Sequence, residues 1–214
     1  MSGPSRRARG FTLLEILVVI AVIGVLAALS FPVFASVRRG QKAKATKVLI
    51  ENLKLKLEEY CADFGDYPPS NPKLLGLPSN GTNDGIECLV RCLSTKKKKG
   101  PYYEFPEDQL KNTDSDKLVS GNPTDSYMTG RELFELVDAF GNPFVYIHNA
   151  DYDAPQKVQL GDENGGETVP VKACKSAKTG QFHSVRSFQL FSLGPNGRFD
   201  DGEGDDVVSW SSGE

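Results

Sequence analysis

Only two histidines, His148 and His183, occur in the 214 residues, and neither stands at a ligand-type spacing from any of the four cysteines. A zinc centre of imidazole and thiolate therefore lacks its parts. The chain also has no nucleophile elbow, no phosphate-binding glycine loop and no internal repeat, so catalysis by an activated nucleophile, a nucleotide or a metal cluster has no advocate and the protein is not expected to be an enzyme. Positive charge is scarce as well. There are 25 Lys and Arg against 28 Asp and Glu, a net charge of −3, and three of the basic residues are Arg6, Arg7 and Arg9. The rest carries 22 basic residues against 28 acidic ones, which argues against a nucleic-acid partner.

Charge of either sign is scarcest between Arg9 and Arg38, where Glu15 stands alone, and Ile16 to Leu29 is continuously apolar. About 21 helical residues reach ~30 Å, the thickness of a bilayer core. A carboxylate at the head of such a run is costly and asks for a functional explanation. Two plain readings leave it without one. In the first, Arg6, Arg7 and Arg9 begin an ordinary signal peptide that ends at the small-residue site Val33-Phe34-Ala35. A twin-arginine signal fits poorly, because Arg9 occupies the position two after Arg7. In the second, the run is a simple single-pass anchor. Arg38, Arg39, Lys42, Lys44 and Lys47 follow it, so counting basic residues would put the C-terminal side in the cytoplasm.

A third reading starts from Arg9-Gly10-Phe11-Thr12-Leu13-Leu14-Glu15. These residues resemble the class III leader junction of the type IV pilin and pseudopilin superfamily: a short basic leader ending in Gly, then Phe, a Glu at the fifth mature position and an apolar helix. The resemblance implies that a prepilin peptidase cuts between Gly10 and Phe11 and methylates the new amine of Phe11. It also gives Glu15 a role. In a filament core a buried carboxylate needs a charged, hydrogen-bonding partner, and the amine freed at Phe11 supplies one, which makes Glu15 an assembly register.

No proline occurs between Pro32 and Pro68, and Leu49, Ile50, Leu53, Leu57 and Tyr60 recur at helical spacing, which predicts one helix from the apolar run to about Ala62. Pro32 and Gly40 are the expected points of bending, and Asp63-Phe64-Gly65-Asp66-Tyr67-Pro68-Pro69 ends the helix. Asn83 or Asp84 caps a short helix bearing Ile86, Leu89, Val90 and Leu93. A second short helix is predicted over Arg131 to Phe140, after an exposed, pattern-poor stretch from Lys96 to Tyr127. Strands are expected at Phe144 to Ile147, Val169 to Ala173 and Ser187 to Leu193, with Asp151 to Gly166 an exposed polar insertion. Cys61, Cys88, Cys92 and Cys174, if exported to an oxidising compartment, are expected to pair, in any of three connectivities. The alternative is that Cys88 and Cys92 are simply buried small apolar residues on a helix.

Past Leu193 the chain runs Gly194-Pro195-Asn196-Gly197-Arg198-Phe199-Asp200-Asp201-Gly202-Glu203-Gly204-Asp205-Asp206, rich in oxygen and glycine, as hard cations require. It does not fit an EF-hand, since the twelfth position from Asn196 is Val207. Asp138 to Tyr146, Phe191 to Gly197 and Asp205 to Trp210 look like the corresponding segments of the major pseudopilin of type II secretion systems. That family's loop binds calcium, so the resemblance implies candidate ligands in the Leu193 carbonyl, Asn196 and one or both of Asp205 and Asp206, with Asp200, Asp201 or Glu203 compensating for a neutral Asn196.

The expected fold is thus α+β and pilin-like: a leader over 1–10, a membrane-spanning and filament-core helix over 11–35, and a head over 36–214 in which the rest of the long helix packs on a small antiparallel sheet. The resemblance implies a structural subunit of a type II secretion pseudopilus, held in the inner membrane by a single pass with a periplasmic head. It would polymerise with itself, contact other pseudopilins and the inner-membrane secretion platform, and help move proteins across the outer membrane. A type IV pilus or DNA-uptake pilin is the near alternative, and a signal-peptide-exported binding module the distant one.

Overall fold

The computed structural model describes residues 12–118, 126, 128, 130–162 and 165–210, with the side chains of 27–33 and 35 excepted. The leader and the Gly10–Phe11 junction lie outside the described residues. The chain divides into two compact units, Met1–Gln41 and Lys42–Glu214.

A single helix, α1 (Leu13–Phe64), runs unbroken through Pro32 and Gly40. In the first unit its apolar side chains are solvent-facing in the lone chain: Leu14 is 72% exposed and Ile23 58%. Among the described residues no helix is long and apolar enough to cross a membrane. The apolar sequence continues to Leu29, beyond Leu26, the last described side chain of that run.

In the second unit the predicted stripe on α1 is buried: Ile50, Leu53 and Leu57 are fully enclosed and Tyr60 nearly so. Gly65, at φ 89°, ends the helix by donating its N–H to the Cys61 carbonyl, the left-handed cap that glycine takes without steric cost. Helix α2 (Asp84–Leu93) lays Ile86, Leu89, Val90 and Leu93 into the same core. Its N-terminus approaches the sheet so closely that a Cβ on Gly85 would collide with the Tyr146 carbonyl.

The rest is strand and loop. β1 (Leu110–Lys111) pairs antiparallel with β2 (Glu135–Leu136). β3 (Val145–His148), β6 (Phe188–Ser192) and β7 (Val207–Val208) form an antiparallel sheet in the order β3-β6-β7. β4 (Gln156–Gln159) and β5 (Thr168–Val171) form a separate antiparallel pair. The three-stranded sheet divides two cores. Tyr146, Phe188 and Leu190 face α1 and α2, whereas Val145, Ile147 and Phe191 face Val158, Leu160, Val171, Cys174 and Trp210. This is period-two alternation with both faces buried. Lys47 and Lys54 bind α1 to the end of β7, donating to the Val208 and Ser209 carbonyls at 2.6 and 2.9 Å.

Three expectations need correction. Arg131 to Phe140 is not helical: it contains β2, and Glu135, Leu136 and Val137 are buried in succession, which a surface helix does not allow. The stretch from Asp151 to Gly166 is not a wholly exposed insertion, because Tyr152, Val158 and Leu160 enter the second core. The loop from Lys96 onward likewise buries Tyr102 and Phe105.

Cys61, Cys88, Cys92 and Cys174 are all free thiols, so the expected pairs are not formed. Cys88 and Cys92 are helical i,i+4 neighbours, whose Cβ atoms stand ~5–6 Å apart, against the ~3.5–4.5 Å a disulfide needs. They are buried apolar residues of α2, and Cys174 lies in the second core with Trp210.

Candidate functional site

The start of α1 is a reciprocal cap. Thr12 donates its backbone N–H and its hydroxyl to Glu15 Oε2 at 2.8 and 2.9 Å, and its Oγ1 accepts from the Glu15 N–H at 3.2 Å. Thr-x-x-Glu is the capping box, which satisfies otherwise orphaned donors at a helix start. This signal was present in the sequence and is independent of any filament. Glu15 therefore has a local partner in the lone chain, one residue from the junction at Phe11.

The C-terminal loop is built on two turns. Asp138, 5% exposed, accepts from Phe140 N and Asn142 N at 2.8 and 3.0 Å and from Ser192 Oγ at 2.5 Å. Ser192 Oγ in turn receives the Gly194 N–H at 3.0 Å. Two segments far apart in sequence are thereby fixed side by side, with the Asp138 carboxylate as their shared acceptor. Gly194, at φ 62°, lies so close to Asp205 that a Cβ there would collide with the Asp205 carbonyl.

Within the loop, Asn196, Asp200 and Asp205 lie together. The Asn196 amide donates to Asp200 Oδ2 at 3.0 Å and to Asp205 Oδ1 at 2.5 Å, a donor bridging two carboxylates where a cation would serve the same purpose. Asp206 faces inward. Its Oδ2 accepts from Asp200 N and Gly202 N at 3.1 and 3.0 Å, and its Oδ1 is buried without a partner. Burial first, then Asp200 and Asp205, push Asp206 up to about 6 against those two donors. Leu193 is fully enclosed in the second core, while Asp201 turns to Lys172 at 3.1 Å. The oxygen-only donor set and the orphaned Asp206 Oδ1 suit a hard divalent cation.

The Prokaryotic N-terminal methylation motif matches residues 5–31. The chain is 30% identical to type II secretion system core protein G of Pseudomonas aeruginosa over 142 residues, 66% of this chain and 75% of that one. The chain belongs to the type IV pilin and pseudopilin superfamily, near the major pseudopilin. A second core protein G, from Dickeya chrysanthemi, is 40% identical over 78 residues, 36% of this chain and 50% of its own length. A type IV major pilin of Neisseria gonorrhoeae is 32% identical over 72 residues, and the chain spans only 34% of that pilin's length. No solved structure matches this pseudopilin-like chain.

Proposed function

We propose that the protein is a structural subunit of a type II secretion pseudopilus and not an enzyme. The observation that carries this reading is the similarity to core protein G over three quarters of that protein's length, joined to the methylation motif at the N-terminus. In this reading residues 1–10 are a leader, prepilin peptidase cleaves after Gly10 and methylates Phe11, and residues 11–35 hold the chain in the inner membrane with the head in the periplasm. The exposed apolar side chains from Leu13 to Leu26 suit such a segment, since contiguous apolar surface of that extent calls for lipid or protein cover. Subunits then leave the bilayer, bundle their N-terminal helices into a helical homopolymer with other pseudopilins on the secretion platform, and help drive proteins across the outer membrane. Glu15 exchanges its local Thr12 contacts for the Phe11 amine as each subunit enters. Asn196, Asp200, Asp205 and Asp206, with the Leu193 carbonyl, bind calcium and stiffen the head beside β7. A type IV pilus subunit is the second reading, favoured by the similarity to the Neisseria pilins.

Mass spectrometry of the protein extracted from membranes tests the processing on which this function depends. The expected N-terminal residue is methylated Phe11. An N-terminus at Ser36 would instead show an exported protein released by a signal peptidase and would end the filament reading.

A further inference from the structure

Away from the C-terminal loop, α2 carries a carboxylate on a face that should be apolar. Glu87 is 2% exposed, and both of its carboxylate oxygens are buried with no hydrogen-bond partner, although Arg91 follows one helical turn later. Glu87, Asp114 and Asp116 each offer an oxygen, and these atoms all lie within 4.8 Å of one another. Asp114 Oδ1 and Asp116 Oδ1 are also buried without partners. An ionised carboxylate enclosed without any donor is among the costliest arrangements in a protein interior, so it calls for a compensating charge.

The surroundings hold these groups in place. Asn112 closes the turn that carries both aspartates, donating from Nδ2 to the Asp116 carbonyl at 2.9 Å and accepting the Asp116 N–H at 3.1 Å. Asp114 is steadied by Asn80 Nδ2 at 3.0 Å. Glu135 stands behind the cluster with both oxygens engaged, by Asn83 Nδ2 at 3.2 Å and Thr113 N at 2.9 Å. Glu135 is therefore satisfied by its own donors and is not free to serve as a ligand.

We propose that Glu87, Asp114 and Asp116 form a second site for a hard divalent cation, which ties the turn at 112–118 to α2. The donors are all carboxylate oxygens, which excludes the softer metals that prefer nitrogen and sulfur. Oxygens on opposite sides of one calcium stand up to ~5 Å apart, whereas around magnesium they reach only ~4.2 Å. Oxygens that all lie within 4.8 Å of one another can share one such ion, and calcium's flexible coordination asks less of their exact placement than magnesium's octahedron. Asp114 and Asp116 are half-buried, so the cluster borders solvent on their side. The site does not depend on the filament reading and would stand if the chain were a pilin or an exported binding module.

The test uses the full-length chain in detergent, stripped of metal with EDTA and titrated calorimetrically with calcium chloride or magnesium chloride. Asp205→Asn first removes the ion of the C-terminal loop. In that background a single cation should still bind, calcium more tightly than magnesium. Adding Glu87→Gln or Asp116→Asn should weaken it by ~10-fold or more, because affinity follows ligand charge. In EDTA the Glu87→Gln chain should melt no lower than its parent, while its calcium-induced rise in melting temperature disappears. Asp116→Asn, on a half-buried residue, keeps the readout should Glu87→Gln fail to fold. No cation bound at millimolar calcium or magnesium in the Asp205→Asn chain, or binding indifferent to both cluster substitutions, would overturn the proposal.

Discussion

Glu15 shows why one residue can satisfy two explanations. The capping box needs a hydrogen-bond acceptor at the third helical position, which Gln supplies as well as Glu, whereas pairing with a freed amine needs the charge. The two roles therefore separate on substitution. Glu15→Ala removes both, and Glu15→Gln keeps the contacts to Thr12 but removes the charge. Filament formation, read by electron microscopy or crosslinking in cells, should fall sharply for both variants while the head stays folded. Normal assembly by Glu15→Gln would reduce Glu15 to a cap. The isolation of the charge in an apolar run is legible in the sequence; the Thr-x-x-Glu cap is less so, because Thr12 and Glu15 belong equally to the pattern of the leader junction.

At the scale of elements, legibility followed locality. Helix α2 was readable because Ile86, Leu89, Val90 and Leu93 repeat over ten residues, and β3 and β6 because their apolar runs are short and bounded by turns. Leu133, Leu136, Val137 and Phe140 fit helical and extended spacing alike, since so short a stretch does not separate the two periods. Pairing of Leu136 with Leu110 decided it, and Leu110 lies in a segment with no pattern of its own. Glu87 was hidden for the same reason: its burial comes from the aspartate turn, remote in sequence. The junction of α2 with β3 can be tested directly. Gly85 leaves room for the Tyr146 carbonyl, so Gly85→Ala must push the helix off the sheet despite alanine's better helix propensity. Overpacking of this kind costs roughly 1–3 kcal/mol. Urea unfolding of a fragment beginning at Lys42 should show that loss, and an unchanged midpoint would mean that α2 has freedom to shift.

Over the whole molecule, the acidic excess is unevenly spread. Two sets of carboxylates in the head have opposite pH behaviour. Hydrogen bonds from Lys99 and Tyr102 hold Asp63 below the ordinary range; Asp66, despite burial that pushes it up, is held low by Tyr67 N and His148. Both are ionised in the folded and unfolded chain above about pH 5, so their support is lost only in acid. Glu135 is the reverse case. Burial and Asp114 push it up to about 8, while an unfolded glutamate titrates near ~4.3. Between those values the folded chain holds a proton that the unfolded chain has released, so stability is greatest at the acid end of the window and falls as pH rises, by at most ~1.4 kcal/mol per pH unit for one group. Asp116 and Asp206, raised to about 7 and about 6, act in the same direction over narrower ranges. In EDTA, melting of the full-length protein should therefore decline from pH 5 to pH 8. Millimolar calcium should flatten that decline, because a bound cation stabilises the ionised forms that rising pH produces. A melting temperature that rose with pH in EDTA would show that these carboxylates are already ionised in the folded head, with a compensating charge supplied by the chain itself.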